Sequence, residues 1–249
     1  MGKLLSEGFR RVFIGKRFYV CLIILICLAF LDVVIYRVAN KFVDYELLHA
    51  DTLIFSGLGL DVLFTAITGG MLISKDYSNN TIRNKIIIGH SRTNIYLCNW
   101  IVTAAIALVY HVAYLFVICA LGIPVLGGGE FPSGEMMVNL LITVPLLLAF
   151  SSLIEFVCMS IKNVGGAIIA IAMHYVVSFM SLPMLLIQRK NEKLYEFLQE
   201  FVPSMQMEVI QQSYNEIPEH AALMVIYSII IIVAATVGGI LIFNRTDLK

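Results

Sequence analysis

Long apolar runs alternate with short polar stretches through most of the chain. Six runs, 18–36, 53–74, 97–121, 136–161, 164–187 and 221–243, come near or exceed the ~20 residues that a helix needs to cross a hydrocarbon core. Open sheets would leave unpaired backbone groups in lipid, and outer-membrane barrels alternate in shorter stretches. The runs therefore predict an all-α integral membrane fold with six transmembrane helices. Residues 1–17 follow a different period. Leu4, Leu5, Phe9, Val12 and Phe13 can share one helical face, with Arg10, Arg11, Lys16 and Arg17 near the other. This predicts an N-terminal amphipathic helix lying in the membrane interface. The first apolar run reaches Asp32 with no small-residue cleavage site, so it reads as a retained span rather than a signal peptide. Residues 188–220 are too long for a simple turn. Leu194, Phe197, Leu198 and Phe201 recur at helical spacing opposite Glu192, Glu196 and Glu200. Pro203 should end that helix, and Ser204 can cap a second one through about Gln212. The segment reads as a broken helical pair resting at, or dipping into, the outer interface.

Composition agrees with this pattern. Of 249 residues, 59% are hydrophobic and only 14% charged, with mean hydropathy +0.89. A soluble domain carries nearly twice that share of charge. The formal net charge of zero argues against a nucleic-acid partner. The distribution of charge is uneven. With the N-terminus inside, twelve Lys and Arg fall in cytoplasmic segments and five in outer ones, so both termini are expected in the cytoplasm. The outer segments collect most of the acid, including Asp44, Glu46, Asp51, Glu130, Glu192, Glu196 and Glu200, which suggests weak attraction for cationic molecules.

The rest of the chain excludes more than it assigns. Five scattered cysteines, Cys21, Cys27, Cys98, Cys119 and Cys158, form neither a disulfide framework nor a CxxC metal site. The Gly127–Gly129 triplet lacks a preceding strand and a following GK[ST], so 122–135 is expected to be a flexible outer loop rather than a phosphate cradle. No HExxH, GxSxG or Walker sequence occurs, so no catalytic residue, metal or cofactor is assigned to this chain, and it is not expected to be an enzyme. No internal repeat is visible, and residues 1–249 read as one transmembrane domain. Asp61, His111 and His174 lie near the middle of their spans, with Asp32 and Glu155 nearer the ends of theirs. Charge at membrane depth is costly, so these residues should face the bundle interior or water. Asp61, His111, Glu155 and His174 could form a polar path; the plainer alternative is hydrogen bonding between packed helices.

The stretch Lys75–Asn94, KDYSNNTIRNKIIIGHSRTN, is the longest polar interruption in the first half. Ser78 or Asn79 can cap a short helix through Ile88, with Gly89 suited to end it. Ile82 and Ile86 make one narrow apolar ridge among Arg83, Asn84 and Lys85. Such a helix is marginal alone and is expected to dock in a groove of another protein.

Asp76-Tyr77, Asn80-Thr81-Ile82-Arg83-Asn84-Lys85, Gly89 and Ser91-Arg92 resemble the segment after the second span of ABC-type-2 exporter permeases. The six-span layout, the interfacial first helix, the broken outer segment and the closing Phe243-Asn244-Arg245-Thr246-Asp247 are similar too. Asn80 stands where that family usually has Gly, and Asn99 where it often has Lys. The resemblance implies a permease subunit that pairs with a second permease chain, the same or different. It would bind a separate ATP-binding cassette subunit, which holds the ATP and Mg2+. Asn80–Ile88 would be the coupling helix, with Asp76, Tyr77, Asn80, Thr81, Ile82, Arg83, Lys85, Ile86 and Arg92 as contacts to that subunit. Phe9, Arg10, Arg11 and Phe13 of the interfacial helix would touch it as well, and Leu194, Phe197, Phe201 and Pro203 would gate the outer side. The implied location is the bacterial plasma membrane. The implied cargo is hydrophobic or amphipathic: an antimicrobial peptide such as a bacteriocin or lantibiotic, a lipopeptide, or a drug. Two other readings stay open: a proton-coupled carrier using Asp61 and the intramembrane histidines, and a membrane sensor or assembly protein that transports nothing.

Overall fold

A computed structural model describes residues 1–42, 49–179 and 187–246, with backbone alone at 177–179. Among the described residues every regular element is helical. They are α1 (Gly2–Ile14), α2 (Lys16–Ala39), α3 (Leu58–Ser78), α4 (Thr81–Ile87), α5 (Arg92–Val117), α6 (Ile123–Leu126), α7 (Gly134–Ile161), α8 (Val164–Phe179), α9 (Glu192–Phe201), α10 (Pro203–Gln212) and α11 (Ala221–Arg245). A 3-10 turn at Ala50–Leu53 leads towards α3, and a π turn at Ile118–Gly122 joins α5 to α6. Among the described residues, five helical segments are long and apolar enough to cross a membrane: Lys16–Ala39, Ala50–Ser78, Arg92–Leu126, Gly134–Ile161 and Ala221–Arg245. The apolar part of α8, Val164–Val176, is shorter. The predicted fifth span runs on through 180–186, which lie outside the described residues, as do Asp44, Glu46, Asp247 and Lys249.

α7 is the hub, packed against α3, α5, α8 and α11. α2 and α11 are peripheral and turn apolar side chains outward, among them Ile23, Phe30, Ile229 and Val237. The interior instead collects Asp61, Asn139, Ser151, Ser152 and Glu155. An apolar exterior around polar interior contacts suits lipid as the surroundings. Small residues let helix backbones approach. A Cβ on Gly70 would strike Ala167 and the Cys158 sulfur, and one on Gly8 would lie 2.8 Å from Val102.

Cross-links gather the helix ends into two groups. At one end Tyr77 donates to the Met159 carbonyl at 3.1 Å, and Arg92 donates to the carbonyls of Phe243 (2.7 Å), Asn244 (3.2 Å) and Thr246 (2.5 Å). At the other, Asn139 donates to the carbonyls of Ser213 and Glu216, both at 2.9 Å, and Gln211 to that of Phe55 at 3.0 Å.

The connection expected to be flexible is instead pinned. The Ala50 amide donates to Gly127 at 3.0 Å, and the Asp51 carboxylate accepts from the amides of Thr52 (2.8 Å) and Glu130 (3.0 Å). Gly127 and Gly129 hold φ of 86° and 60°, and a Cβ on Gly129 would land on that carboxylate. The glycines permit a tight reversal over a buried acid. Asp51, counted among the outer charges, is therefore enclosed. Ser204 likewise departs from expectation. Val202 precedes α10 with Pro203 as its first residue, and no side chain caps it.

Candidate functional site

The chain leaves α3 at Ser78 and enters α4 through Asn80, which sits in the left-handed region at φ 55°, ψ 20°. Asn tolerates that conformation better than most residues, and Gly better still, which accounts for either at this position. The expected capping by Ser78 or Asn79 does not occur. The Ser78 hydroxyl donates back to Lys75 at 3.1 Å, and Asn80 stands at the N-cap without a side-chain bond. Gly89, at φ 99°, ends the helix, and the His90 amide closes it onto the Lys85 carbonyl at 3.1 Å.

A seven-residue helix needs tertiary support. Ile82 and Lys85 supply it, 1% and 5% exposed respectively. Lys85 enters an ionic cluster in which Arg11 donates to Asp76. The Lys85 Nζ lies 3.8 Å from Asp76 and 3.7 Å from Glu7, and the Arg11 Nε lies 3.4 Å from Glu7. Leu4, Gly8 and Val12 form the buried stripe of α1, packed on α5, and Arg11 sits beside that stripe rather than on the solvent face. Phe9 is half-buried, and Arg10 and Phe13 are exposed. The cluster thus joins α1, the end of α3 and α4 into one unit.

This arrangement revises the contact residues expected from sequence. Asp76, Ile82 and Lys85 face inward. Tyr77 holds the end of α7. Arg92 caps the end of α11 and lies 5.7 Å from the Phe243 ring centroid. Thr81 and Ile86 are half-buried, and Asn80 and Arg83 are exposed. The outward face of α4 instead presents Ile87 and Ile88, 72% and 77% exposed, beside Arg83 and Asn84. The signal was in the run Ile86-Ile87-Ile88. Its last two members fall on the side of the helix opposite the ridge at 82 and 86.

The interior polar residues form separate contacts. His111 on α5 meets Asp61 on α3 at 2.9 Å through Nδ1, and Thr143 on α7 at 3.4 Å through Nε2. Glu155 on α7 accepts from Thr103 on α5 at 3.3 Å. His174 meets Ser204 at 3.3 Å, joining α8 to α10. Tyr114 donates to Asp32 at 3.0 Å and bonds Ser56 at 2.7 Å. Each contact joins packed segments. Asp61 and His111 come together, while Glu155 and His174 each have other partners. Among the described residues no group of three His, Cys, Asp or Glu could hold a metal ion.

A second feature is an apolar cavity of about 710 Å³ between α7, α8, α10 and α11. Phe150, Met173, Ile231 and Leu241 line it, and His174 and Ser204 are its polar edge. Phe201 and Pro203 of the expected gate also line it. Phe197 stacks on Phe201 at 5.4 Å and both rings meet Tyr227 of α11, while Leu194 is exposed.

No protein-family model matches this chain, and no curated protein matches it. The fold and site define an all-helical chain with membrane-length helices and a short outward-facing helix anchored by buried ions.

Proposed function

We propose that this chain is the membrane permease subunit of an ATP-driven exporter and that α4 is its coupling helix. The observation that carries the reading is the two-sidedness of α4. One face is fixed to the bundle through Ile82 and Lys85, and the other leaves Ile87 and Ile88 exposed among the described residues. Force applied at Ile87 and Ile88 would reach α3 through Asp76 and α1 through Arg11 and Glu7. In this reading the α1 end faces the cytoplasm, both termini are inside, and six spans cross the bacterial plasma membrane. Two permease chains pair, and ATP and Mg2+ belong to a separate cassette subunit. The apolar cavity suits a hydrophobic or amphipathic cargo, including an antimicrobial peptide.

The test is co-expression with an ATP-binding cassette subunit, sought among the genes that neighbour this one. The wild-type pair should co-purify, and Ile87→Asp/Ile88→Asp should abolish association while the permease still inserts and folds. Unchanged association of that variant would overturn the coupling assignment. The buried Asp61–His111 pair favours a second reading, a proton-coupled carrier. That reading requires transport driven by a pH gradient without ATP and lost in Asp61→Asn.

A further inference from the structure

A cavity of about 750 Å³ lies beneath the elbow between α1 and α2, against the end of α3. Gly15 makes the elbow with an extended backbone, φ −72° and ψ 119°. Arg10, Lys16, Arg17 and Lys75 line the cavity and are exposed. Arg11 lies deeper. Its Nη1 is taken by Asp76, but its Nη2 is buried with no hydrogen-bond partner among the described residues. Five cations therefore face two carboxylates, Glu7 and Asp76, around one half-open cavity. A buried guanidinium nitrogen without an acceptor, beside an excess of three positive charges, calls for an anion with several acceptor oxygens.

The walls indicate which anion. Phe18 and Leu72 form apolar parts of the lining. Directly after Phe18, α2 turns Tyr19, Val20, Ile23 and Ile24 outward, beginning its exposed apolar face. The cations thus sit where a membrane-facing surface starts, the level at which a phosphodiester lies above its acyl chains. We propose that this cavity binds the headgroup of an anionic phospholipid, with the phosphate among the five cations and the acyl chains along the outward face of α2. The site lies apart from Ile87 and Ile88 and does not depend on a motor docking there.

The full chain, purified and transferred to nanodiscs, provides the test. Native mass spectrometry would count retained phosphatidylglycerol against phosphatidylcholine, with soluble glycerophosphate as a third arm. The wild-type chain should retain phosphatidylglycerol selectively. Arg10→Gln/Lys75→Gln, at two exposed positions, should weaken that retention roughly ten- to thirtyfold without changing the unfolding temperature. Arg83→Gln/Arg245→Gln removes the same charge from exposed positions that do not line the cavity, and should retain the lipid as the wild type does. Equal loss in both variants would mean diffuse attraction and overturn the site. Unchanged retention in Arg10→Gln/Lys75→Gln would overturn it too. Binding of glycerophosphate as tight as that of the lipid would replace the phospholipid with a soluble anion and overturn the assignment.

Discussion

Arg11 donates to Asp76 across 65 positions of sequence, and the contact fastens the N-terminal helix to the end of α3. The Asp76 side chain is only 4% exposed, so its charge depends on these neighbours. Removing one partner of a buried pair strands the other, at a cost of ~3–5 kcal/mol when nothing replaces it. Lys85, 3.8 Å away, remains, and Arg11 is a quarter exposed. Arg11→Ala should therefore destabilise the chain by about 2 kcal/mol. Arg11→Met/Asp76→Leu should cost less than the two single changes summed. A double-mutant cycle from unfolding in detergent measures this directly.

The two faces of α4 should respond differently to the same substitution. Ile82 is enclosed, and placing a carboxylate there buries an unpaired charge, so Ile82→Asp should cost about 3 kcal/mol or more and lower the yield of folded protein. Ile87 and Ile88 are open, and Asp at either should change stability by no more than about 0.5 kcal/mol. Thermal unfolding of the purified variants checks the contrast, independently of any partner.

The five membrane-length helices among the described residues were legible because their signal is local: about twenty apolar residues announce a helix without reference to anything else. The starts and stops were harder. α5 begins at Arg92, five residues before the apolar run, because Ser91 caps it through the Asn94 amide at 3.2 Å and Arg92 is held by the end of α11. The short helix over 81–87 could be read from its Gly89 stop but not from its start, where Asn80 in the left-handed region stands in place of a Ser78 or Asn79 cap. Its orientation could not be read either. Ile82 is inward because α4 packs on α3 and α5, and the partners that hold Lys85 on the same side, Glu7 and Asp76, lie far off or on another element. Arg11 was misplaced for the same reason, since face assignment by hydrophobicity puts every charge outside. The pinned 122–135 connection was missed because its acceptor, Asp51, lies some eighty residues away (|i−j| of 79 to Glu130).

Asn80 isolates a backbone effect. At φ 55° an Ala would meet the left-handed penalty that Asn partly escapes, so Asn80→Ala should cost about 1 kcal/mol. Asn80→Gly relieves the strain but adds freedom to the unfolded chain, and the two effects should nearly cancel. Asn80→Val should be the worst of the three, since a β-branched residue is strongly disfavoured there. The order Gly, Ala, Val in unfolding midpoint is the expected outcome. A different order would place the α3–α4 turn in another conformation.

The Asp61–His111 contact separates architecture from transport chemistry. Both side chains are buried, and the second Asp61 oxygen, Oδ1, has no hydrogen-bond partner among the described residues. His111→Ala would leave the whole carboxyl group without a donor, a loss of about 3 kcal/mol. Replacing both with apolar residues, Asp61→Leu/His111→Leu, removes the need for a partner and should recover most of that loss. A structural pair predicts this pattern in unfolding experiments, together with ATP-coupled export that continues in Asp61→Asn. A proton-carrying pair predicts the reverse for transport: export would stop in Asp61→Asn although the fold survives. Measuring both properties on Asp61→Asn decides between them, because an Asn of the same shape can keep a hydrogen bond to His111 but cannot take up and release a proton.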